Sequence, residues 1–484
     1  MAKKSLSNQI ISAFIATFIS AIINFISIPI ITKIFPKSDY GTISLFISYQ
    51  NIFLSVVYLG MDQSMSRFYY EPLGKNNSKS LSTICLGISL FAFFLVSLFL
   101  TVNWKHIAYS LIGEYSFWII LCSLIYILSQ MILRYLNLIS RLQKNAIGYA
   151  VQAVGITGVT KLSYALAAIV HPTSKYGIIV LCSSSLILAM AMLCLKGRRS
   201  FQRSVDISYP VLRELFKFGL PQIPVFLLSN ANNSIPQLVM NGFMNRESIG
   251  VYANAVSITS ILIIVQNSVN VFWAPYVYEN YKTKQKSIIK IHHCVSYVMV
   301  VTALLICVFT DLIYYLLVDK TYWDSKMLLP LLLVSPLCYT ISETLGIGFK
   351  IEKKSYWNIL VYAADFLTNL GLCYLLTPTW GARGAACSVA TSALVMLILK
   401  TMIGEQYYKC TDSNVRLIFS FLIYFVCVIP FVFFSKKYVS MFLEVIGILW
   451  ISVLYFKELR FLSESIFDLI KKRLSFLKMK NGVN

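Results

Sequence analysis

Long apolar runs, each broken by a few polar residues at helical spacing, dominate the chain from end to end. A membrane-spanning helix needs about 20 mostly apolar residues, and in lipid every backbone group must be satisfied within its own segment. The pattern predicts about fourteen such helices. They fall at roughly 10–31, 41–60, 81–102, 116–138, 146–170, 176–195, 219–243, 250–273, 293–316, 327–349, 357–377, 384–403, 417–434 and 441–456. The first run has no small-residue cleavage site ahead of Pro29, so it is expected to be retained as a helix rather than removed as a signal peptide.

The polar residues within these runs form stripes. Span 1 carries Thr17, Ser20, Asn24 and Ser27, and span 2 carries Ser44, Ser48, Asn51 and Ser55. In span 7, Asn230, Asn233, Gln237 and Asn241 follow one helix face, and span 8 adds Asn254, Ser257, Ser260, Asn267 and Asn270. Two readings stay open for them: the lining of a polar cavity, or hydrogen bonding between packed helices. A weak internal echo links the two halves. Asn24 is matched by Asn232, Phe35 by Phe243, Tyr70 by Tyr278 and Glu71 by Glu279, with Pro29/Pro236 and Gly41/Gly250 matched after a one-residue slip. The echo predicts a six-helix half over 1–195, a basic linker over 196–218 and a second six-helix half over 219–403. Helices 13 and 14 (404–456) and a basic tail (457–484) follow. Two halves in the same orientation resemble the parallel-repeat transporters, whose substrate path lies between the halves near the midplane.

Composition agrees. Of 484 residues, 57% are hydrophobic and only 13% charged, too little polar side chain to cover a soluble globule. The net charge of +22 does not indicate nucleic acid. Counted from a cytoplasmic N-terminus, most Lys and Arg fall in the linker, the tail and the other inner loops, which places both termini in the cytoplasm. The linker and the tail both read as basic amphipathic segments on anionic membrane lipid. The eleven cysteines lie mostly within spans and show no metal spacing, so they read as small core residues, and no metal or cofactor is expected. Outer loops are no longer than roughly a dozen residues, and P-loop, DxD and HExxH motifs are absent, so the chain is not expected to be an enzyme.

Charges within the spans carry the sharper signal, because each costs a few kcal/mol at the centre of a helix. Lys161 lies roughly 13 Å from the outer end of span 5, too deep to snorkel. It is either a cationic lining for an anionic substrate or the partner of a carboxylate such as Asp365 in span 11. Asp365 and Glu343 are candidates for ion coupling or gating. Arg67 and Glu71, at i and i+4, read as an interfacial ion pair or as a gate and head-group contact. Arg134, near the inner end of span 4, is a further candidate head-group contact.

Several segments carry a family resemblance: SNQIISAFIATFISAIINFISIPIITKIFPKSDYGTISLF, LGMDQSMSRFYYE, FGLPQIPVFLLSNANNSI, ESIGVYANA and GARGAACSVAT. Together they resemble the Wzx-type polysaccharide flippases of the multidrug/oligosaccharidyl-lipid/polysaccharide exporter superfamily. The resemblance implies an all-α, MATE-like membrane protein with two six-helix lobes around a V-shaped cavity and two extra C-terminal helices. It also implies movement of undecaprenyl-pyrophosphate-linked oligosaccharide, of the O-antigen, capsule or other surface-polysaccharide type, across the cytoplasmic (inner) membrane. A polysaccharide polymerase and a chain-length regulator are the implied partners. On this reading Lys161, Arg67 and Arg134 meet the head group, Asn24, Asn51, Asn230, Asn233, Gln237, Asn241, Asn267 and Asn270 line the cavity, and Asp365, Glu343 and Glu71 couple ions or gate. The lipid II flippases of the same superfamily use arginines deep in their first helices, where this chain has only Asn24. The cation-coupled drug exporters commonly carry a carboxylate in helix 1 or 7, and spans 1 and 7 here have none. A cation-coupled multidrug antiporter of the same fold and a polysaccharide polymerase are the alternatives.

Overall fold

A computed structural model describes residues 2–71, 78–143, 145–167, 169–202, 209–352, 354, 356–461 and 463–464. Among these residues, fourteen helices of at least 17 residues build the molecule. They are α1 (Ala2–Ile34), α2 (Lys37–Tyr58), α3 (Ser78–Val102), α4 (Trp118–Leu142), α5 (Ala146–Ala167), α6 (Ser174–Ser200) and α7 (Gln222–Phe243). The second set is α8 (Arg246–Asn280), α9 (Gln285–Val308), α10 (Leu329–Leu345), α11 (Trp357–Trp380), α12 (Ala382–Tyr407), α13 (Val415–Phe434) and α14 (Lys437–Leu454). Each overlaps one expected run. Most of the predicted basic tail, and residues 203–208 of the linker, lie outside the described residues.

The differences have physical causes. α9 starts at Gln285 rather than near 293, because a helix continues through polar residues such as Lys286 and Lys290 that end the apolar run. The predicted ninth span splits at Phe309 into α9 and a short helix, Thr310–Leu317, and the tenth breaks at Gly346. Among the described residues, ten helices are long and apolar enough to cross a membrane, or eleven if the 3₁₀ helix Lys320–Met327 and α10, bent by 56°, are counted as one broken span. The count of fourteen crossings therefore does not follow from apolar length alone. α5 and α7 are long enough but carry Lys161 and the Asn/Gln stripe, which lower their mean hydropathy.

Packing repeats across the two halves. α1 packs on α5, α4 on α6 and α5 on α6; correspondingly α7 packs on α11, α10 on α12 and α11 on α12. The halves meet where α2 lies against α7 and α8, and where α1 lies against α8. α13 and α14 pack on each other and join the second half through α9. Large apolar side chains such as Phe91, Phe94, Leu98 and Phe99 of α3 point outward, as a lipid-facing surface requires. Several stripe residues, among them Ser27, Ser48, Ser55, Gln237 and Asn254, are buried between helices.

Two local features fix the interface between halves. Asn245 caps α8, its Oδ1 accepting from the backbone N–H of Ser248 at 3.0 Å, so the helix starts immediately after the turn from α7. At the start of α2, Gly41 lies against α8: a Cβ here would collide with the Arg246 carbonyl, and one on Gly250 would collide with the Lys37 carbonyl. Only glycine at both positions permits this approach of two backbones.

Candidate functional site

The α1 stripe and α5 meet across the interface from α8 and enclose a cavity of about 200 Å³. Asn24 and Ser27 of α1, Tyr40 of α2, Lys161 of α5, and Asn254 and Ser257 of α8 are in its wall. The Tyr40 hydroxyl and Ser257 Oγ, 3.1 Å apart, bridge the halves beside it. Lys161 has no carboxylate oxygen within ion-pair distance among the described residues. Lys161 therefore stands in a cavity wall without a carboxylate beside it. Pairing with Asp365 is not formed.

Asp365 lies in a second cavity of about 470 Å³, within the second half. Val256 and Ile263 of α8 belong to the walls of both cavities, so the two adjoin along that helix. Asn232 Nδ2 donates to Asp365 Oδ2 at 2.9 Å, and Asn369 Nδ2 donates to Asn232 Oδ1 at 2.7 Å. The other carboxylate oxygen, Oδ1, is buried and has no hydrogen bond of normal geometry among the described residues, with the Ser392 hydroxyl in the same cavity wall. Asn233 and Gln266 share this wall. In the sequence Asn232 stands out only as an echo of Asn24; its bonds to α11 join residues more than a hundred positions apart, which no local pattern reveals.

Glu343 is not in either wall. Its carboxylate pairs with Lys350 Nζ at 2.6 Å and with Lys400, whose side chain is completely buried. The Lys400 ammonium lies 5.4 Å and 5.0 Å from the ring centres of Tyr339 and Tyr362, and those two tyrosines also line the Asp365 cavity. Lys400 was missed because it stands near the expected end of span 12, within snorkelling distance of the surface. The helix in fact runs on to Tyr407 and leaves it inside.

A third cavity, of about 380 Å³, lies between α2, α4 and α7. Asn51, Asn230 and Arg134 line it. Asn230 Nδ2 bonds Ser55 Oγ at 2.9 Å, and Arg134 pairs with the buried Asp62 at 3.0 Å. Asp62 follows the left-handed Leu59–Gly60 turn that ends α2, so it reads from the sequence as a loop residue.

The remaining candidates separate from these cavities. Gln237 Oε1 accepts from Ser44 at 3.1 Å and from Ser48 at 2.8 Å, and Asn241 Nδ2 donates to the Ser110 carbonyl at 2.8 Å. Both tie the halves together, which is the helix-packing reading of the stripes. Asn267 and Asn270 line none of the three cavities. Arg67 and Glu71 pair at 3.0 Å on the surface, in the interfacial arrangement their spacing allows. Pro72, which follows them, lies outside the described residues.

Comparison with known proteins bears on the fold and the family. No curated protein matches the sequence. Among solved structures, the lipid II flippase MurJ in an inward closed conformation superposes with a TM-score of 0.67, covering 92% of this chain and 98% of that one at 14% identity. An inward-facing multidrug resistance MATE family transporter of the MOP superfamily gives 0.59, covering 80% and 94% at 14% identity. At such identities the likeness establishes the fold alone, a MATE-like bundle. Residues 6–281, more than half of the chain, match the polysaccharide biosynthesis protein family, and the chain belongs to that family.

Proposed function

We propose that this protein is a flippase that moves a diphosphate-linked oligosaccharide on a polyprenyl lipid from the cytoplasmic to the outer leaflet of the cytoplasmic membrane. The observation that carries the reading is Lys161: a cation without an ion-pair partner among the described residues, in the wall of a cavity between the two halves and among Asn and Ser side chains. A diphosphate with polar sugars cannot cross hydrocarbon unaided, so it needs a charged and polar passage while its lipid tail stays in the bilayer. Lys161 neutralises part of the head group, Arg134 offers a second cationic contact, and Asn24 bonds sugar hydroxyls. Both termini lie in the cytoplasm by the charge bias, with six-helix halves over 1–195 and 219–403 and the basic linker on the inner leaflet. Two negative charges leaving an inside-negative cell gain roughly 4–5 kcal/mol per 100 mV, so export needs no nucleotide site on this chain. The cargo is an O-antigen, capsule or related repeat unit, passed on to a polymerase and its chain-length regulator.

The test is complementation of a gene deletion in the native host. Lys161→Ala is expected to lose most surface-polysaccharide export at wild-type membrane abundance, whereas Lys161→Arg retains a large part of it. Full export by Lys161→Ala would refute the assigned role.

A second reading, ion-coupled transport, is favoured by one observation: the buried Asp365 carboxylate stands in its cavity without an ion-pair partner among the described residues. Asp365→Asn keeps the bond from Asn232 and removes the charge. In vesicles, this variant is expected to lose any stimulation of transport by an imposed sodium or proton gradient. Unchanged gradient dependence in Asp365→Asn would remove Asp365 from the coupling path.

A further inference from the structure

The end of the molecule where α2 and α8 begin is closed by contacts that occur twice. On one side the turn from α1 to α2 reaches the connection between α9 and α10. The Asp319 backbone N–H donates to Thr32 Oγ1 at 3.1 Å, the buried Tyr322 hydroxyl donates to the Phe35 carbonyl at 2.9 Å, and Lys37 pairs with Asp324 at 2.8 Å. The Asp319 carboxylate is held below the ordinary aspartate pKa by bonds from the Thr321 backbone N–H and hydroxyl, with Lys33 and Lys320 adding to the effect, so this connection keeps its shape and charge. On the other side the turn from α7 to α8 reaches the connection between α3 and α4. Asn241 Nδ2 and Arg246 Nη2 both donate to the Ser110 carbonyl, at 2.8 Å and 3.0 Å.

Ser110 stands in the last turn of the short helix Trp104–Ile112, where carbonyls lack partners within the helix and carry the negative end of its dipole. The two sets are counterparts. By the internal echo the α1–α2 turn corresponds to the α7–α8 turn, and the α3–α4 connection to the α9–α10 connection. In each set the turn of one half grips the connection of the other. Between them, where the two halves meet, stands the Gly41–Gly250 contact.

We propose that these two latches and the glycine contact are the gate at this end of the transporter, and that opening toward this face requires both latches to part. Their chemistry suits a device that opens in every cycle. Each consists of hydrogen bonds and, in one case, a partly exposed ion pair, which are individually weak and reform readily. A conformational equilibrium shifts only by the difference in interaction between its two states, and these bonds exist only in the closed one. The proposal holds whatever the cargo.

The reporter is Ser257→Cys, in the cavity wall beneath the latches, on a Cys194→Ser background that removes the exposed native thiol. Labelling by a membrane-impermeant maleimide is followed in right-side-out and in inside-out vesicles. Lys37→Ala and Arg246→Ala are each expected to raise labelling from one side only, and the pair together to raise it several-fold above either. Lys37→Asp is expected to act like Lys37→Ala, and adding Asp324→Lys to restore the parent rate. The proposal is overturned if the Lys37→Ala/Arg246→Ala protein, at parent abundance, labels at the parent rate from both sides. Equal increases from both sides would also overturn it, since that marks a loosened fold rather than a gate. Should the double variant fail to reach the membrane, Lys37→Asp decides alone: an unchanged rate refutes the latch.

Discussion

Glu343→Ala is expected to destabilise the folded protein by about 3–5 kcal/mol, because it removes the carboxylate from a completely buried lysine. Lys400 is completely buried in α12, and Glu343 is its ion-pair partner; Lys350 shares the same carboxylate. The rings of Tyr339 and Tyr362 face the ammonium from 5.4 Å and 5.0 Å, but a ring quadrupole is worth only about 1–2 kcal/mol and does not replace a carboxylate. The asymmetry between breaking and replacing a buried pair supplies the control. Glu343→Leu combined with Lys400→Met removes both charges and is expected to recover most of the loss. Thermal unfolding of purified protein in detergent checks both variants. A Glu343→Ala protein with wild-type stability would mean that Lys400 finds another partner, and the reading of this triad would be wrong.

Gly41→Ala is expected to abolish most transport while leaving a folded, membrane-inserted protein. A single methyl group there meets backbone, the Arg246 carbonyl and the Gly250 nitrogen, rather than a side chain that can rotate away. Relief requires α2 and α8 to move apart, which opposes the closed state by about 1–3 kcal/mol, a shift in population of roughly 5-fold to 150-fold. A methyl group added at Gly87 in α3 would have nothing within 4 Å of it, so Gly87→Ala makes the same change without collision. It is expected to transport normally. Equal export by the two variants would show that the α2–α8 approach is not required in the cycle.

Much of the fold was legible in hydropathy, and the reasons it stopped short are specific. The long helices overlap the apolar runs because lipid forces long continuous helices wherever backbone meets hydrocarbon, although ten or eleven rather than fourteen of them are apolar enough to cross a membrane among the described residues. The ends drifted where a helix outlasts its apolar run, as at Lys286 in α9 and beyond Lys400 in α12. The echo between Asn24 and Asn232 pointed to halves whose helices do pack in corresponding pairs. Lys161 could be singled out by depth alone, since a lysine that cannot reach an interface must face protein or a cavity. The polar stripes were less informative. Spacing shows that Gln237 and Asn241 share a face with Asn230 and Asn233 but not what that face meets; Asn230 and Asn233 reach cavities, whereas Gln237 and Asn241 tie the halves together. Asp62 and Lys400 were invisible as partners because their counterparts, Arg134 and Glu343, lie on other helices.

Translocation itself is tested most directly by the sidedness of the cargo lipid. In a strain lacking the gene, vesicles of both orientations are probed for the leaflet that holds the lipid-linked repeat unit. Accumulation in the cytoplasmic leaflet, with loss of surface polysaccharide and reversal on restoring the gene, is the expected result. Accumulation of unpolymerised units in the outer leaflet would contradict it and point to a polymerase, and an unchanged pool in both leaflets would point to a drug antiporter instead.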